Sequence, residues 1–248
     1  GNSMEAGDKP DLLLPDVQRE LMERVLALGK PTVVVLLAGS SIDLTAAEKR
    51  ANAVFCAWYP GARGGKAVAD LLFGKRSPSG KLPVTFYHDE DLAHLPEFTD
   101  YSMKGRTYRY LERVPLYPFG YGLTYADIRV LAASAEKAPD GSLVVHAQVQ
   151  NLGALASEDV IQLYVKAEDS PLATPNPILC GFARVNLNAG EAKEIALSVA
   201  HASLTVVDDA GNRVFPGGRF SLYVGTSQPD ARSRELTGVS PVKMEALL

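Results

Sequence analysis

Three kinds of residue in this 248-residue chain could do chemistry. The first kind is acidic and aromatic. Asp89, Glu90 and Asp91 form a cluster, and Tyr101, Tyr108, Tyr110, Tyr117, Tyr121 and Tyr125 follow it with Arg106 and Arg109 between them. Carboxyl groups move protons, and Tyr and Arg faces can stack on sugars while their polar ends bond hydroxyls. The plainer account of TYRY and YPFGYGLTY is ordered, hydrogen-bonded packing beneath a loop. The second kind is nucleophilic: Ser40, Ser41, Ser77 and Ser79. None lies in G-x-S-x-G and none has a base placed beside it, so they read as turn and cap residues. The third kind is glycine. VVVLLAGSS and GARGGK could turn backbone N–H groups toward a phosphate. Neither G-x-G-x-x-G nor G-x-x-x-x-G-K-[ST] is present, and a tight strand-to-helix turn accounts for GARGGK better.

Composition closes off other chemistries. Cys56 and Cys180 sit in apolar surroundings and read as reduced core thiols, and His88, His94, His146 and His201 lack metal-ligand spacing. No metal and no organic cofactor are expected. The formal net charge is −4 with Lys and Arg scattered, so nucleic acid and anionic membranes are not expected partners. No apolar run reaches the ~18 residues of a membrane span. GNSMEAGDKP is not a secretory signal. Together with the two thiols, this favours a cytoplasmic compartment. The chain starts with Gly, so GNS is either a remnant ahead of Met4 or the continuation of something longer.

The elements that must position these residues fall into two halves. With 46% hydrophobic and 22% charged residues there is material for a real core. PDVQRELMERVLAL places Val17, Leu21, Val25 and Leu28 at helical spacing, closed by Gly29. TVVVLLAGS reads as a strand buried on both faces, with Val33 to Leu37 at the centre of a sheet. A short helix over 45–50, a short run AVFCAW, a helix GGKAVADLLF and a strand LPVTFY follow. Trp58, beside a Pro-Gly turn, is expected to be mostly buried. This half is α/β with a mainly parallel sheet. After Tyr125 the pattern changes to alternating segments broken by Pro-Asp-Gly, Asn-Ala-Gly, Asp-Ala-Gly-Asn and Pro-Gly-Gly turns, the signature of an antiparallel β-sandwich. The expected division is 1–126 for the α/β domain, 127–139 for a linker and first strand, 140–232 for the β-sandwich and 233–248 for a C-terminal tail.

Three long motifs in fixed order give a resemblance. AWYPGARGGKAVADLLFGKRSPSGKLPVTFY, GRTYRY and LYPFGYGLTY closely resemble glycoside hydrolase family 3, the β-glucosidase and β-xylosidase family. Ser77 and Thr124 stand where the usual pattern has Asn and Ser. VIQLYVKAEDSP, GFARVNLNAGE and PGGRFSLYVGTS look like the fibronectin type III-like domain that often ends these enzymes.

The resemblance implies a C-terminal α/β sandwich domain plus a fibronectin type III-like domain of a retaining β-glycosidase. The nucleophilic Asp of such an enzyme belongs to a (β/α)8 barrel, which alone needs roughly 250 residues, so it is expected on other sequence. The implied partners are a carbohydrate substrate, that barrel on the same or a companion chain, and a second copy in a homodimer. The resemblance also places an acid/base Glu early in the α/β domain. Glu5, three residues before Asp8 in MEAGDKPDLLLP, is the candidate; the alternative is a Glu further upstream in a LEGEE-like stretch that is absent here. A rival reading is a non-catalytic carbohydrate-binding or scaffold module. A barrel with a nucleophilic Asp, encoded beside this sequence, separates the two.

Overall fold

The computed structural model describes residues 9–248. The first half forms helix α1 (Asp16–Ala27), strand β1 (Val33–Leu36), helix α2 (Thr45–Arg50), strand β2 (Ala53–Cys56) and helix α3 (Gly64–Leu72). β1 and β2 pair in parallel, Val33 with Ala53 through Leu36 with Cys56. Gly29 stops α1 with φ +63°, a conformation that costs glycine nothing. A small core forms around Leu36, Ile42, Leu44, Ala47, Phe86, Leu116 and Tyr117.

Two expectations for this half, the central strand and the strand LPVTFY, need correction. β1 is an edge strand among the described residues: Val33 is 43% and Leu37 63% exposed. Among those residues its one strand partner is β2, and the parallel sheet consists of this pair. The stripe Val17, Leu21, Val25 and Leu28 faces outward, while Met22 and Leu26 turn in. The contact with α2, clasped by Arg50 on Glu23, sets that rotation. LPVTFY is not a strand of the sheet. It folds against 117–121 through Phe86–Tyr117 backbone pairing and bonds from Leu82 N to Tyr121 O and Gly120 N to Leu82 O. Pro83 and the turn at Gly120 prevent a regular ladder.

A 3₁₀ turn (Asp89–His94) and a single helical turn, α4 (Thr107–Tyr110), lead to the second half. There β3 (Ile128–Lys137), β4 (Leu143–Asn151), β5 (Ser157–Ala167), β6 (Ile178–Leu187) and β7 (Ala192–Val199) are followed by a short hairpin, β8 (Val206–Val207) and β9 (Arg213–Val214). β10 (Arg219–Gly225), α5 (Ala231–Thr237) and β11 (Val242–Leu247) end the chain. Two antiparallel sheets, β3-β4-β7 and β11-β10-β5-β6, face each other. Val145, Ala147 and Val149 on β4 meet Ile161, Leu163 and Val165 on β5 and Leu222 and Val224 on β10 in one apolar core. Alternation along β4 gives that inner face directly. The C-terminal tail is structured, with β11 pairing along β10.

Candidate functional site

The segment before α1 is bonded to the loop after β1, which leaves the C-terminal end of that strand, and Gly39 in this loop meets Tyr59 in the loop after β2. Open α/β sheets bind ligands at this C-terminal edge of their strands. Glu5 lies outside the described residues. The segment that follows it, 9–14, is fastened to this edge. Lys9 Nζ donates to Ser41 O at 3.1 Å, Asp43 N donates to Leu12 O at 2.7 Å, and Leu12 N donates to Asp89 Oδ1 at 2.7 Å. Burial lowers the pKa of Lys9, against a smaller opposing pull from Asp11.

Asp43 is the hub. Its Oδ1 accepts from Thr45 N (2.8 Å) and Thr45 Oγ1 (2.6 Å), and its Oδ2 accepts from Asp89 N (2.8 Å). Burial works against ionising this carboxyl, yet the bonds from Thr45 and Asp89 and the nearby His88 outweigh it, so its pKa is lowered. Thr45 Oγ1 in turn meets His88 Nδ1 at 3.0 Å. One carboxylate thus joins the loop after β1, the 3₁₀ turn and, through Asp89, the segment after Glu5.

The loop after β2 completes the edge. Trp58 has φ +49°, a left-handed conformation that costs a non-glycine residue about 1–2 kcal/mol. Its half-buried ring packs edge-on against Phe86 with centroids 5.9 Å apart, so the expected packing role holds although burial is incomplete. Tyr59, the next residue, points away from the core and is 77% exposed. The hydroxyl end of its ring rests on Gly39, where any Cβ would overlap it.

The sequence-predicted acids and aromatics are gathered elsewhere, and mostly for structure. Asp91 accepts from His88 N and pairs with Arg113 at 2.6 Å. Arg106 donates to the carbonyls of Pro96 and Glu97, both at 2.6 Å. Tyr108 stacks on Phe119 at 4.2 Å and donates its hydroxyl to no carboxylate; it accepts from Leu179 N at 3.0 Å. Tyr117 and Tyr121 stack at 5.6 Å, and burial raises the pKa of both phenols. A cavity of about 260 Å³ opens here between Tyr87, Asp91, His94, Lys104 and Arg113. Tyr101 is exposed and unabsorbed by this packing.

Most of these motif residues form the seam between the two halves. Ser157 Oγ bonds Ser77 Oγ at 2.8 Å and Thr124 Oγ1 at 3.1 Å. Gln162 Nε2 donates to Gly120 O at 2.9 Å and its Oε1 accepts from Tyr164 at 2.6 Å. Asn176 Nδ2 donates to the carbonyls of Tyr108 and Leu111. Lys81 crosses the seam to Asp159 at 2.8 Å and also donates to Gly122 O at 2.7 Å. Both charges are buried, at 9% and 3% side-chain exposure. Burial raises the pKa of Asp159 and Lys81 works against it. Gly122 lets the two loops touch, since a Cβ there would strike Gly80 O. From α5, Arg232 reaches back to Glu48 at 3.0 Å.

Known proteins fit both halves. The glycosyl hydrolase family 3 C-terminal domain matches residues 1–125, and the fibronectin type III-like domain matches residues 159–228. The chain belongs to glycosyl hydrolase family 3. A xylan 1,4-β-xylosidase of Xylanibacter ruminicola is 42% identical over 93% of this chain and 27% of its own length. A periplasmic β-glucosidase of Salmonella typhimurium is 31% identical over 91% of this chain and 31% of its own length. The crystal structure of a family 3 β-glucosidase from Bifidobacterium adolescentis superposes with TM-score 0.85 at 28% identity, over 99% of this chain and 37% of that one. The chain spans about a third of the length of the relatives it matches.

Proposed function

We propose that this chain is the C-terminal part of a retaining β-glycosidase acting on β-xylosides or β-glucosides, and that Glu5 is its acid/base. The observation that carries this reading is the fastening of residues 9–14 to the C-terminal edge of the β1–β2 pair. The segment leading out of Glu5 is thereby fixed, through Asp43 and Asp89, to the edge where ligands bind. A retaining enzyme needs two carboxyl groups about 5–5.5 Å apart. In this reading the nucleophilic Asp comes from the barrel. It attacks the anomeric carbon while Glu5 protonates the departing glycosidic oxygen. Glu5 then takes a proton from the water that releases the glycosyl-enzyme.

The exposed apolar residues support a longer polypeptide. Val17, Leu21 and Leu28 on α1, Leu37 after β1 and Phe73 after α3 all face outward. Apolar surface of this kind is what a neighbouring domain buries. The test is activity. The purified 248-residue chain is expected to leave aryl β-xylosides and β-glucosides untouched, and the polypeptide that joins it to the barrel to hydrolyse one of them. Sustained turnover by the 248-residue chain alone overturns the division of labour. An inactive joined polypeptide supports instead the non-catalytic module.

A further inference from the structure

Two residues that line one cavity of the seam each carry a buried oxygen with nothing to bond. Thr85 Oγ1 and Gln228 Oε1 are two of the four buried side-chain oxygens that have no hydrogen-bond partner among the described residues. Each residue is only 7% exposed. Leaving a buried polar group unpaired is costly, and an occupant of the cavity removes that cost. The cavity measures about 190 Å³, well beyond the space of a single water. Thr85 belongs to the α/β half and Gln228 to the segment between β10 and α5, so the cavity lies between the halves.

The lining restricts what can fill it. Most of its charged groups are already engaged. Arg113 pairs with Asp91, Arg232 pairs with Glu48 and Glu235, and Asp230 accepts from Ser233 N and Ser233 Oγ. Glu112 is exposed and stays hydrated. The groups left to hold an occupant are neutral. Thr and Gln each carry a donor and an acceptor, and a turn about χ1 of Thr85 or the last torsion of Gln228 offers either kind to the cavity. Hydroxyl groups, which both donate and accept, match such partners, whereas an ion would find no counter-charge. Pro115, Pro118 and Phe119, the last stacked on Tyr108, supply apolar wall for C–H surface.

We propose that this cavity is a binding site for a small neutral polyol, held by the Thr85 hydroxyl and the Gln228 amide between the two halves. The inference goes beyond the glycosidase reading and does not depend on Glu5, because every residue of the site is among those described. A bound polyol ties the loop that carries Pro115 and Phe119 to the segment that carries Gln228, and stabilises the seam by mass action.

The experiment titrates the 248-residue chain with D-xylose, a cyclic polyol, and with xylitol, its open-chain counterpart. The side-chain amide signals of Gln228 are followed by NMR. At least one probe is expected to shift them saturably with a Kd of about 1–10 mM. A response to xylose alone supports a site for a sugar ring, and a response to xylitol supports one that also takes open chains. Gln228→Leu and Thr85→Val replace the unpaired groups with apolar ones of similar size, so both variants are expected to fold. Followed through the backbone signals of Val114 and Phe119, each should bind about tenfold more weakly or worse; should one fail to fold, the other decides. The inference is overturned if neither probe gives a saturable shift up to about 100 mM, which leaves the cavity to water. Equal binding by wild type and variants puts the site elsewhere and overturns it as well.

Discussion

Lys81 and Asp159 are buried as a pair in the seam, and neither could stay charged there alone. Removing one partner of such a pair strands the other, at a cost of about 3–5 kcal/mol, whereas replacing both with apolar residues is often close to neutral. Lys81→Met is therefore expected to destabilise the chain by about 3–5 kcal/mol in urea, and Lys81→Met with Asp159→Leu to recover most of that loss. A double variant as unstable as the single one would show that the ion pair itself holds the seam. The lysine sits in PSGKLP, so its motif was visible in the sequence, but its partner 78 positions away was not. The same holds for Tyr59. WYPG marks a turn, and the sequence drew attention to the Trp, since no residue type at 58 announces a positive φ. Only the turn's geometry separates the ring that packs from the ring that faces out.

At the scale of elements, Asp43 binds the loop after β1 to the 3₁₀ turn and so governs how residues 9–14 are held. Its folded pKa lies below the unfolded value near 3.9. The folded chain then holds fewer protons than the unfolded chain in that window, so Asp43 stabilises above about pH 4 and loses its contribution as pH falls through the folded pKa. Asp43→Asn turns an amide N–H toward Asp89 N or leaves that donor unpaired, at a cost of about 1–3 kcal/mol. Urea unfolding should show this gap at pH 7 and a smaller gap as the pH falls below about 4, where the unfolded chain takes up a proton that the folded carboxyl resists. A gap that stays constant or widens on acidification contradicts the hub role. The helices and the sandwich strands were legible because apolar residues recur at helical spacing in α1 and alternate in β4. The facing of α1 was not. That helix carries apolar residues on two sides, and the side that turns inward depends on where α2 docks. LPVTFY misled for a related reason: its composition suits a strand, but its backbone partners lie in an irregular loop.

Over the whole molecule, the motifs that identify the family serve two ends. PSGKLP, GRTYRY and PFGYGLTY join the halves, and AWYPG helps shape the edge after β2. A sandwich docked by Gln162, Tyr164 and Asn176 buttresses the loops 107–125, which in turn pair with 82–86 beside the hub. The sandwich is thus built into the support of the candidate site. The sequence could name the two halves, since each has its own periodicity, and its motifs pointed to Glu5. It could not reveal the edge at which 9–14, 37–44 and 57–63 converge, because that convergence depends on how the strands pair. The central claim is that Glu5 supplies the acid/base at this edge, and one measurement bears on it most directly. In the joined polypeptide, kcat/KM of wild type and Glu5→Gln is compared on glycosides with poor and with very good leaving groups, with and without azide. The account predicts a loss of about a hundredfold or more on the poor leaving group, little loss of glycosylation on the good one, and restored turnover with azide, which needs no general base. A Glu5→Gln enzyme with near wild-type rates on both substrates would contradict it.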